Sequence, residues 1–187
     1  MARTTKAQRE AIIQNIFMAV GAEYGYEHVH VRLTARKYFS AKWQRSFNWI
    51  SFDLSDFVEY APAGAIRGLA HTLLAKIKGD NRPYGQEFTD HVMSGEFLTQ
   101  MQPRFIRRNR AVADDRLDDI VAGLDAPKGT AFAVTNSKSH TAITNSTLFR
   151  TILVPMYALE DWDADDLRDM IADELTELAY NIEHFGE

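Results

Sequence analysis

The sequence predicts an α+β fold of two similar α-β-β-α units packed together, with small mixed sheets and helices, and three observations predict it. Helical and strand periodicities follow one another as helix, strand, strand, helix, and that order occurs twice. The apolar stripes of the two closing helices superpose at a spacing of 101, where Ile66, Leu69, Ala70, Leu74 and Ile77 meet Leu167, Met170, Ile171, Leu175 and Leu178. The principal strands superpose at 102, which pairs Phe47 with Phe149 and Ile50 with Ile152, so an internal repeat is expected. The chain of 187 residues is 45 % hydrophobic and 11 % aromatic, enough to build a core in each unit.

A first helix is expected from about Thr5 to Gly21. Its most apolar run, Ala11 to Val20, is interrupted by Gln14 and Asn15 at helical spacing. That run falls short of the roughly 20 apolar residues a membrane span needs, so no membrane association is expected. Residues 27–33 alternate polar and apolar side chains as a half-buried strand does, and a second strand fits residues 47–54. Pro62 precedes the helix that carries the Ile66 stripe, and Lys78-Gly79 ends it. These elements make a first unit over residues 1–79. Residues 80–110 are polar, contain Pro83 and Pro103, and are expected to form a connector with one short helix near 85–98. The second unit, 111–187, holds a helix from Asp114 to Leu124, stopped by Asp125-Ala126-Pro127-Lys128-Gly129. It continues with strands at Thr130–Val134 and Leu148–Met156 and a last helix from about Asp163 to Glu183.

The absence of cysteine removes disulfides, thiolate zinc sites and thiol catalysis, and suits a reducing cytoplasm. Net charge is −5, unevenly placed: residues 1–110 carry 16 Lys and Arg against 10 Asp and Glu, and residues 111–187 carry 5 against 16. Such asymmetry fits an electropositive face and an acidic one, or solvated helices and mutual pairing of the halves.

The segment with most chemical content is Asp173-Glu174-Leu175-Thr176-Glu177 on the last helix. Glu174 follows Met170 and Ile171 by four and three residues, which turns it toward the core side, where a carboxylate needs a hydrogen bond, a cation or a proton. Reaching water or pairing with an arginine on another helix would also satisfy it. Asp173 and Glu177 share one helix face at i, i+4; two carboxylates suit Mg²⁺, Mn²⁺ or Ca²⁺ better than zinc. His71 is expected on a helix flank, His28 and His30 on the exposed face of a strand, and His184 at a helix C-terminus. Ser137 and Ser139 flank His140 in a polar turn. The basic run Arg104, Arg107, Arg108 and Arg110 is a candidate phosphate-contacting surface. Arg32, Arg36, Lys37, Lys42 and Arg45, interleaved with Tyr38, Phe39, Trp43 and Trp49, form a second. Walker, dinucleotide-binding and nucleophile-elbow motifs are absent.

A helix, then Thr147-Leu148-Phe149-Arg150-Thr151-Ile152-Leu153-Val154, then a loop and the Asp173–Glu177 helix, resembles the SprT-like and related minimal gluzincin metalloproteases over about 75 residues. By position, that resemblance puts Asp173 and Glu177 in the slots where His-Glu-x-x-His holds zinc and Glu174 in the slot of the general base. The histidines are replaced, and the first unit looks like a further copy without the motif. The resemblance implies a zincin-like frame and a non-catalytic binding or regulatory role, a pseudo-metallopeptidase with no required cofactor and an unidentified macromolecular partner. Two alternatives stand beside it: a divalent-metal hydrolase or peptidase using Asp173, Glu174 and Glu177, and a nucleic-acid-associated protein using its arginine-rich surface.

Overall fold

Thr5 begins the first helix with a reciprocal cap. Its hydroxyl accepts from the Gln8 amide at 3.2 Å and the Gln8 side chain accepts from the Thr5 amide at 2.8 Å, satisfying two amides that a helix start leaves bare. A computed structural model describes residues 5–138 and 140–185, so Ser139 of the polar turn lies outside the described residues. Two compact units divide the chain, one reaching Val92 and the other running from Met93 to Phe185. This boundary falls within the segment read as a connector. That segment holds two helices rather than one.

The first unit contains α1 (Lys6–Glu23), β1 (His28–Thr34), β2 (Ala41–Arg45), β3 (Trp49–Ser55), α2 (Ala63–Ile77) and α3 (Gln86–Met93, its last residue in the second unit). Strand order is β1-β3-β2, with β1 parallel and β2 antiparallel to β3. Because side chains alternate across a strand, Val29, Val31 and Leu33 join Ile50, Phe52 and Leu54 on one buried face. Phe17 of α1 meets Phe52 edge-on at 5.0 Å, and α1 also packs on α2. The outer edge of β1 is sealed by α1: Gln14 donates to the Val29 carbonyl and accepts from the Val31 amide, both at 2.6 Å, and Glu10 accepts from the Leu33 amide at 2.8 Å. Gly21 sits where a Cβ would lie 2.4 Å from a Val29 methyl, so only glycine lets the helix approach the strand this closely.

The second unit contains α4 (Gly95–Arg108), β4 (Ala111–Val112), α5 (Asp115–Val121), β5 (Ala131–Thr135), β6 (Thr144–Ser146), β7 (Thr151–Pro155), α6 (Met156–Asp161) and α7 (Ala164–Glu183). Strand order is β4-β5-β7-β6; β7 runs parallel to β5 and antiparallel to β6. Every residue of β7 is buried, and Ile152 and Val154 share a core with Leu117, Val134, Leu167, Ile171, Leu175 and Leu178.

The mixed α+β architecture agrees with the sequence, and both sheets set a central strand between one parallel and one antiparallel neighbour. Where two strands were expected in each unit, the first has a third, β2, and the second has two more, β4 and β6. β2 and β6 are short edge strands of mostly polar residues, so hydrophobic alternation does not mark them. The expected equivalence of Phe47 and Phe149 separates in three dimensions. Phe47 is 98 % exposed between β2 and β3. Phe149 is buried in the turn before β7, its ring stacked on Phe105 at 4.5 Å and near Phe97 at 6.1 Å.

Candidate functional site

On α7, the buried stripe Ile171, Leu175 and Leu178 anchors the helix to its core and leaves Glu174 half-buried beside it. The side-chain amide of Asn145, on the edge strand β6, donates to Glu174 Oε2 at 2.7 Å. The carboxylate on the core side is thus satisfied by a neutral amide. The nearby Arg168 is used elsewhere: it donates to the carbonyls of Ile120 and Ala122 at the end of α5. Asp173 and Glu177 are both exposed. Among the described residues, no group of three or more His, Asp or Glu side chains is placed to hold a metal ion.

The histidines take other positions. His71 is half-buried between α1 and α2, with its Nδ1 3.4 Å from the Tyr24 hydroxyl and its Nε2 3.9 Å from Glu23. His184 stacks on Tyr180 at 4.1 Å and places Nδ1 2.9 Å from its carbonyl oxygen. His140 is buried, with Nε2 3.1 Å from Asn109 Oδ1; Asn109 in turn donates to the Phe105 carbonyl and accepts at its own carbonyl from the Thr135 hydroxyl. This network fastens the end of α4 to β5. It is a structural use of a residue that the sequence places in a polar turn.

The basic run divides into two pairs. Arg107 and Arg110 are exposed and line a shallow groove with Pro103, Ile106, Val112 and Phe132; Arg110 adopts a left-handed φ of 54°. Arg104 and Arg108 are half-buried within the protein, and Arg104 reaches the Met101 sulfur at 3.6 Å.

In the first unit, the face of the sheet opposite the core collects a set of side chains that no local pattern announces. The register places His28 beside Trp49, His30 beside Ser51 and Gln44, and Arg32 beside Asp53 and Lys42, as three successive rows. His30, Arg32, Lys42, Gln44, Ser51 and Asp53 line a cleft there. The second basic and aromatic set named in the sequence therefore splits. Arg32, Lys42 and Trp49 lie on this face, whereas Trp43 and Arg45 pair with Phe52 and Ile50 and belong to the other. Arg32 and Arg36 both donate to Asp53 Oδ2, at 2.8 and 2.7 Å. The Thr34 hydroxyl beside it and these two guanidiniums hold the Asp53 carboxyl well below the usual carboxylate range, against the opposing effect of partial burial. Gln44 escapes sequence reasoning because β2 does, and Ser51 and Asp53 because the expected strand that carries them does not reveal its neighbours; the alternation of Lys42 and Gln44 with Trp43 is the faint signal.

No protein-family model matches the chain, and no significantly similar curated protein or solved structure is found.

Proposed function

We propose that this protein is a non-catalytic binding or regulatory protein built on a zincin-like frame. The observation that carries this reading is the engagement of Glu174 by Asn145. In a metallopeptidase the general base aims its carboxylate at a metal-bound water held between the ligands on either side of it. Here the carboxylate in that slot accepts from a side-chain amide of the adjoining edge strand, and the carboxylates on either side of it face solvent. Exposed Asp and Glu one turn apart offer two hard oxygen ligands, a set suited to weak binding of a hydrated Mg²⁺ or Ca²⁺ rather than tight capture of zinc. The frame itself is supported by topology: β7 lies between parallel β5 and antiparallel β6, and α7 follows it after a short helix.

The test is elemental analysis of freshly purified protein beside an Asp173→Ala/Glu177→Ala variant. The expected result is no stoichiometric zinc in either. A stoichiometric metal in the parent chain that disappears from the variant overturns the reading and makes a metal-dependent hydrolase the better account.

A further inference from the structure

We propose that the solvent face of the first sheet binds single-stranded nucleic acid, with Arg32 and Lys42 meeting phosphates and Trp49 and Phe47 stacking on bases. This rests on the reading of the protein as a binding module and names the class of partner it takes.

Charge is the first support. Among the described residues the only acid on the three rows is Asp53, and two guanidiniums already neutralise it. Arg32, Arg36 and Lys42 leave a net positive surface even though the whole chain carries −5, because the excess acid lies in residues 111–187. The two arginines differ in a useful way. Both hold Asp53, but the Arg36 side chain is only 20 % exposed while that of Arg32 is 66 % exposed and keeps most of its surface in solvent. Asp53 is therefore a positioning residue: it holds Arg32 upright with donors left for an incoming phosphate, which lowers the ordering cost on binding.

Aromatic placement is the second support. Phe47 is 98 % exposed at the tip of the β2–β3 hairpin, and Trp49, 40 % exposed, follows on the sheet face. Exposed rings at the end of this strip suit base stacking, which a duplex with its bases already paired does not offer. The geometry also separates nucleic acid from an anionic lipid surface. Trp49 and Asp53 are four residues apart on β3, so the aromatic end and the row of Arg32 and Lys42 are about 13 Å apart along the strand. A chain bearing alternating bases and phosphates spans that distance. A headgroup layer calls for a cluster of cations beside the inserted rings, where the flanking residues are the exposed Arg45 and an acid, Glu27, held by Asn48 at 2.8 Å.

The experiment is fluorescence anisotropy of a labelled twelve-nucleotide oligothymidine and an oligouridine of equal length, titrated with the full chain over a series of salt concentrations. Binding is expected to weaken steeply with salt. Lys42→Gln and Arg32→Gln/Lys42→Gln should each lower affinity, and the double change should flatten the slope of log affinity against log salt by about 1.4. Phe47→Ala/Trp49→Ala should weaken binding by about tenfold or more and leave that slope unchanged. Arg45→Gln, on the opposite face, should leave affinity as it is. Circular dichroism of each variant separates lost folding from lost binding. Undetectable oligonucleotide binding, or binding insensitive to the open-face variants, overturns the proposal, as does retention on phosphatidylserine vesicles alone. Because the readout involves no metal, its failure leaves the non-catalytic reading intact, and the metal analysis tests that reading separately.

Discussion

The Asn145 side chain donates to the Glu174 carboxylate at 2.7 Å, joining the edge strand of the second sheet to the helix that carries the motif. A half-buried carboxylate with this partner behaves as a structural tie. Replacing Asn145 by Ala should destabilise the second unit by about 1 kcal/mol, the usual net worth of such a bond at a partly solvated site. Glu174→Gln, which keeps a hydrogen-bonding partner of the same shape, should cost less. Urea unfolding of the two variants checks this; a larger loss for Glu174→Gln would show that the charge itself has a further partner.

Phe149 anchors the turn before β7 by stacking on Phe105. Its truncation to Ala should cost about 3–5 kcal/mol, since a fully buried ring leaves a cavity that its neighbours fill only in part. Phe47→Ala, at the position equivalent by sequence offset, should change stability by less than about 0.5 kcal/mol. Thermal or urea melts of the pair measure the contrast directly.

The acid branch of stability should depend on Asp53. A carboxyl whose folded value is depressed contributes its full stabilisation above the ordinary unfolded value of about 3.9 and loses it as pH falls toward the folded value. Asp53→Asn should therefore be less stable than the parent at neutral pH, and the two curves should converge below pH 4. Urea midpoints between pH 7 and pH 2 at low ionic strength follow this; parallel curves across the range would remove Asp53 from the account.

Two helical glycines should respond in opposite senses to alanine. At Gly21 the new methyl would meet Val29 at 2.4 Å, and overpacking of about 1–3 kcal/mol should exceed the helix-propensity gain of about 1 kcal/mol. At Gly95, in the first turn of α4, a Cβ meets nothing within 4 Å, so the variant should be as stable as the parent or more stable by up to about 1 kcal/mol. Denaturation midpoints of the two variants decide both cases.

Much of the fold was legible from local patterns. The alternation in β1, the stripes of α2 and α7, and the apolar run of β7 are visible because a buried face repeats at the period of its own element. Three of the edge strands, β2, β4 and β6, were not legible. β2 and β6 owe their conformation to hydrogen bonds with β3 and β7, partners up to thirteen residues away, and their own side chains are mostly polar. Residues 86–108 were legible only in part, as one short helix near 85–98 where two form: Phe88, Phe97, Leu98, Met101 and Phe105 make short apolar stripes broken by Pro103 and a polar majority.

The candidate sites divide in the same way. Glu174 was visible as a carboxylate turned toward a core, because its distance from Ile171 is a helical turn and needs no tertiary knowledge. That its partner would be Asn145, 29 residues away, was decided only when β6 came alongside α7. Likewise Arg32, Lys42 and Trp49 were named from composition, but their sharing of one face, and the departure of Trp43 and Arg45 to the other, follows from the register of β2 on β3. By itself the sequence determined the elements with a strong apolar period and which of their faces turn inward, since burial within such an element depends on neighbours a few residues apart. Tertiary structure decided which polar side chains meet, since hydrogen bonds and shared sheet faces join residues that the chain keeps far apart.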